Sequence, residues 1–161
     1  MKKITIIFSI FLILIFASAV SFVGFSKDFT KPTNKQKTNV VKTDDKNSPV
    51  WNMTYDDLVK YFADNGLINA DKYTSISDGI ATTARKYNGI EIYWWDVKKL
   101  AKGRDEYKAF YSLKNNGYID LWGSGNIMSA ERNGPFAIVV KEYKGDSTKV
   151  TKLFEKFGKS K

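Results

Sequence analysis

NGIEIYWWDV, residues 88–97, is the stretch on which the reading of the fold turns. Asn88-Gly89 is a turn signal, and the residues after it alternate as a β-strand. Successive strand side chains point to opposite faces. Trp94 therefore joins Ile90 and Ile92, a core-like set, while Trp95 joins Glu91 and Tyr93. The second set mixes a carboxylate with two large rings. Trp95 is then packed beneath a loop or the 50–54 segment, part of a binding surface, or a half-exposed edge.

The elements around this strand can be read from period and punctuation. Thr54 with Asp57 forms a capping box, and Tyr55, Leu58, Val59 and Phe62 recur at the helical spacing until Asn65-Gly66. A second helix is predicted from Ser75, with Asp78 at the capping-box position and Ile76, Ile80, Ala84 and Tyr87 on one side. Gly79, Thr82 and Thr83 oppose it. GRDEYKAFYSLKNNG, 103–117, is a helix closed by Asn116-Gly117. YIDLW, 118–122, is a short strand, interrupted by Gly123-Ser124-Gly125, and NIMSA continues it as a bent ribbon. The two glycines mark a hairpin or bulged turn rather than a phosphate loop, which needs a strand–loop–helix context ending in Lys-Ser or Lys-Thr. Asn133-Gly134 is another turn, PFAIVVKEY (135–143) a strand, and Val150, Leu153, Phe154 and Phe157 define a last helix. Helices interleaved with three or four strands predict an α+β fold. In it, a small, largely antiparallel sheet forms two layers with helices on one face, leaving the other face open.

Only part of the chain belongs to that domain. Residues 4–25, ITIIFSIFLILIFASAVSFVGF, contain neither charge nor proline. As a helix they span about 33 Å, the thickness of a bilayer's apolar core. Lys2 and Lys3 precede them, which orients the N-terminus to the cytoplasm. The segment is either a transmembrane anchor or a signal peptide cleaved near Ala17-Ser18-Ala19. Residues 26–49 are polar and lysine-rich, a linker without helical or strand period. Residues 50–161 form one compact domain outside the cytoplasm. The protein is thus a single-pass membrane protein or is secreted after cleavage.

Composition excludes whole classes of chemistry. The 161-residue chain has no cysteine and no histidine. Disulfides, thiolate nucleophiles, the usual neutral-pH base and the commonest zinc ligand are therefore missing. A Ser-Lys pair has no frame, since Ser112 and Lys114 are neighbours along one helix. Carboxylate pairs drawn from Glu91, Asp96, Asp120 and Glu131 would serve a small wall or glycan hydrolase. No cofactor or metal motif is present. The formal charge is +9, yet residues 50–161 carry 18 basic and 14 acidic side chains, so the domain is only mildly basic. Lysines beside the membrane suit anionic lipid or an anionic wall polymer. The acids flanking EIYWWD disfavour nucleic acid.

The candidate binding residues are Glu91, Tyr93 and Trp95, with Trp122 and Arg132 from the glycine-rich stretch. The expected function is a non-catalytic binding or assembly module at a bacterial cell surface, contacting membrane lipid through an uncleaved N-terminal helix and a surface protein or wall polymer through the domain. The layout, an exported tether before a compact α+β domain, is similar to that of small surface proteins of Gram-positive bacteria. It transfers no functional residue. An accessory role in a membrane complex is the alternative, with Ala17, Ala19 and Gly24 as helix-contact residues.

Topology is directly testable. Protease added to intact cells is expected to remove a C-terminal tag. Protection of the tag until lysis would overturn the orientation.

Overall fold

The computed structural model describes residues 46–159. The apolar segment 4–25 and the linker up to residue 45 lie outside them. Among the described residues no helix is long and apolar enough to cross a membrane.

After a 3-10 turn at Pro49–Asn52 comes helix α1, Tyr55–Asp64. Its start is the capping box expected from sequence: Asp57 N donates to Thr54 Oγ1 at 3.3 Å, and Thr54 N donates to Asp57 Oδ2 at 2.7 Å. The donation from Thr54 N, with a second from Thr54 Oγ1 to the same oxygen at 2.8 Å, holds the Asp57 carboxyl below its ordinary pKa. Helix α2 spans Asp105–Asn116 and closes on Gly117 at φ 79°, whose N–H donates to Leu113 O at 3.0 Å. Helix α3, Ser147–Lys156, is capped by Asp146, which accepts from Lys149 N at 3.1 Å.

The described residues also form seven strands: β1 Thr74–Ser75, β2 Thr83–Tyr87, β3 Ile90–Trp94, β4 Tyr118–Leu121, β5 Asn126–Ser129, β6 Glu131–Asn133 and β7 Phe136–Val139. Five form an antiparallel sheet in the order β1-β2-β3-β7-β6, and β4 and β5 form a separate hairpin. The α+β class and the antiparallel sheet are as expected.

The layering is different. Strand β3 buries both faces. Ile90 and Ile92, with Phe136 and Ile138 of β7, pack against Leu58 and Phe62 of α1 and Val150 and Phe154 of α3. Tyr93 and Trp95, with Ala137 and Val139, pack against Ala109, Phe110 and Leu113 of α2 and Ile119 of β4. The helices therefore lie on both faces, in three layers instead of two, and the face of Trp95 is covered. The pattern of β7 shows why: PFAIVV has no polar position, and Phe136–Val139 is buried throughout. An uninterrupted apolar run marks a strand covered on both sides.

The second helix predicted from Ser75 is absent. Asp78 makes a local turn, Oδ1 accepting from Ile80 N at 3.1 Å, and Gly79 adopts φ +69°. Residues 83–87 instead pair with 90–94. The turn between them has two left-handed residues, Asn88 at φ 47° and Gly89 at φ 84°, the signature of a tight right-twisted hairpin. A side chain at Gly89 would meet Glu142 O at 2.5 Å, so the turn also needs glycine for close approach. Hairpin pairing within the sheet outweighs the helical spacing of Ile76, Ile80 and Ala84.

One buried polar residue joins sheet to helix. Asn133 Nδ2 donates to Phe154 O at 2.7 Å and Phe157 O at 2.9 Å. It closes carbonyls that the end of α3 leaves open.

The two tryptophans are expected to differ in the reverse of the simple open-face reading. Trp95→Ala should cost about 3–5 kcal/mol in urea unfolding of the full chain. Half-buried Trp94 should cost about 1–2 kcal/mol. Equal losses, or a larger loss at Trp94, would contradict the described packing.

Candidate functional site

Trp95 answers the question raised by the sequence. It is fully buried, its Nε1 donates to Ile80 O at 2.7 Å, and its ring stacks on Tyr93 at 6.2 Å and meets Phe110 at 5.7 Å. It is a pillar between sheet and α2, not a contact surface. Arg132 is also buried, with Nη1 donating to Gly134 O at 3.1 Å across the β6–β7 turn. Its position is structural, and it does not line the groove described next.

Of the other three candidates, Glu91 and Tyr93 meet directly, and Trp122 is tied to the nearby Asp78. Glu91 keeps 18% of its side chain exposed, and Tyr93 Oη donates to its Oε2 at 2.9 Å. Its Oε1 lies 3.5 Å from Lys86 Nζ, and Lys86 also pairs with Glu142. That second contact raises the Lys86 pKa and lowers that of Glu142. Tyr93 Oη lies 4.0 Å from Met128 Sδ of β5. Trp122, half exposed at φ 57° in the β4–β5 turn, donates from Nε1 to Asp78 O at 2.9 Å. Burial raises the Asp78 pKa above its ordinary value, and the charge on Glu91 adds to this. Burial likewise raises the phenol of Tyr93, with the Glu91 charge next.

Between the β4–β5 hairpin and the sheet runs a groove of about 770 Å³. Leu121, Ile127 and Met128 form its hairpin wall, and Glu91, Val139 and Glu142 its sheet wall. Its volume falls in the range of small-ligand pockets. Ile127, at 62% exposure, stands at its rim beyond any packing need. Chemically the groove offers an apolar wall facing a carboxylate that Tyr93 and Lys86 hold in place. It suits a ligand with apolar and hydrogen-bond-donating parts.

Of the carboxylates considered for hydrolysis, Glu91 and Glu131 line this groove, and Asp96 and Asp120 do not. Asp96 accepts from Lys98 N and pairs with Lys99, Asp120 accepts from Gly125 N inside the hairpin, and Ser112 donates to Tyr118 O. Glu131 and Glu91 sit on opposite faces of the sheet, given the pairings Glu131↔Ile138 and Glu91↔Val139. Sequence reasoning missed Asp78, Lys86, Ile127, Met128 and Glu142. The isolated Ile127 in a polar, glycine-flanked stretch was the one available signal. No family model, curated protein or solved structure matches the chain, so the site is read from its geometry alone.

The raised Asp78 gives a pH test. A folded-state pKa above the unfolded value contributes stability that is complete below the unfolded pKa and lost as pH rises through the folded one. Asp78→Asn keeps the Oδ1 acceptor without the charge. Its urea midpoint should match the parent below about pH 3 and exceed it at neutral pH. A neutral-pH midpoint at or below the parent's would show that the buried charge is not destabilising.

Proposed function

We infer that the chain is a membrane-tethered or secreted, non-catalytic binding and assembly module at the bacterial cell surface, and that the groove beneath the β4–β5 hairpin is its contact site. The observation that carries this reading is the coincidence of exposed Ile127 and Trp122 with a carboxylate fixed by Tyr93 and Lys86. Apolar side chains left in water beside an ordered polar group are the pattern of a recognition surface. The N-terminal apolar segment with Lys2 and Lys3 supports display outside the cytoplasm. The lack of histidine and cysteine supports binding over catalysis.

Site-specific photo-crosslinking in intact cells tests the reading. A photoreactive residue at Ile127 or Trp122 is expected to form discrete adducts with envelope material. The same residue at Lys149, on the exposed face of α3, should form none. Adducts equally strong at Lys149, or none at the groove, would overturn it.

A further inference from the structure

Strand β5 has β4 on one side and, among the described residues, no strand on the other. It runs through Ala130 into β6, which pairs with β7 only as far as Glu131↔Ile138. There the chains part. Ser129 takes Tyr118 of β4 as its partner, while β7 keeps β3 through Val139↔Glu91. The groove is the wedge left by this parting, and consecutive residues at 127–131 and at 138–142 line it.

Free strand edges are normally guarded by lysine, proline, charge or a strong bulge, because they template pairing. β5 reads Asn-Ile-Met-Ser and carries no charge or proline. Ile127, at its centre, is the most exposed large apolar side chain among the described residues. A wedge with chain on both sides admits a single strand with free flanks. A second copy's β5, held in its own hairpin, does not present one.

Charge narrows the occupant. The lining contains Glu91, Glu131 and Glu142 against Lys141, and Lys86 beside it already pairs with Glu91 and Glu142, so Glu131 is the carboxylate left for a ligand. Glu131 Oε2 is buried and has no hydrogen-bond donor among the described residues. Glu91 and Glu131 flank the wedge from the two faces of the sheet, and an added strand alternates its side chains between those faces.

We propose that the groove binds an extended, lysine- or arginine-bearing peptide segment as a strand added along the open edge of β5. Its apolar side chains rest on Ile127 and Leu121, and a cation meets Glu131. This is strand addition, in which main-chain bonds supply affinity and side-chain pockets supply specificity. It rests on the reading of the groove as the contact site.

The test uses full-length protein in detergent and blocked heptapeptides of alternating lysine and valine, followed by the amide resonances of residues 126–129. The lysine peptide is expected to shift those amides and to bind at least about tenfold tighter than its glutamate counterpart. N-methylation of alternate peptide amides should cost about tenfold or more, because it removes the pairing donors. Glu131→Gln should weaken binding several-fold with an unchanged circular dichroism spectrum. If Glu131→Gln unfolds, the peptide series still decides. Equal affinity for lysine and glutamate peptides, indifference to N-methylation, or displacement of the peptide by self-association overturns the proposal. If a chitin hexasaccharide shifts residues 126–129 and no peptide does, the peptide assignment falls while the groove reading stands. If neither shifts them, both fall.

Discussion

The structure depends on the double-sided burial of β3, and Trp95 is its hinge. A tryptophan buries about 150–250 Å² and brings a polar N–H that must be satisfied inside. Here Ile80 O satisfies it at 2.7 Å. That bond ties the 76–82 loop to the end of the central strand. The ring in turn seats Tyr93 on one side and Phe110 of α2 on the other. Because α2 is drawn onto this face, β4 follows directly from Gly117, and the β4–β5 hairpin comes to lie across the sheet. That hairpin is anchored at its α2 end, at Trp122 and through Met128, while Ile127 beside Met128 stays exposed.

Much of this was legible in the sequence. The capping box at Thr54 and Asp57, the Gly117 stop, the Asn88-Gly89 turn and the opposite facing of Trp94 and Trp95 are local, and local rules suffice for them. What failed was non-local. Residues 75–87 carry a helical spacing, yet their fate is set by pairing with 90–94, which no window over 75–87 contains. The open-face expectation failed because Glu91 was read as a sign of exposure. Tyr93 and Lys86 satisfy that carboxylate, so one charge sits at the margin of a buried aromatic face. A charge argues for water only when nothing nearby replaces it.

The site was legible in outline only. Glu91, Tyr93 and Trp122 were chosen for residue type, and the fold brings them near one another through Asp78. Trp95 and Arg132 were chosen on the same ground and are core. Aromatic and arginine side chains serve interiors and interfaces alike, so type cannot separate the two uses. The most exposed groove residue, Ile127, is chemically plain. Its importance comes from position on an unpaired edge, which appears only once β4 is known to pair with β5 and β7 with β3.

An unguarded edge is also a hazard, and that constrains the reading. A free edge with an exposed isoleucine invites association in proportion to its length and flatness. β5 is four residues long. It is bent away at Ala130 and closed at its other end by Trp122, Gly123 and Gly125, all with left-handed φ. These features limit open-ended stacking without filling the wedge. An edge maintained only for stability would be guarded by lysine, the residue that the exposed face of α3 carries at Lys149, Lys152 and Lys156. The combination of a short edge, an unguarded apolar centre and flanking carboxylates is better accounted for by a transient strand partner than by packing alone.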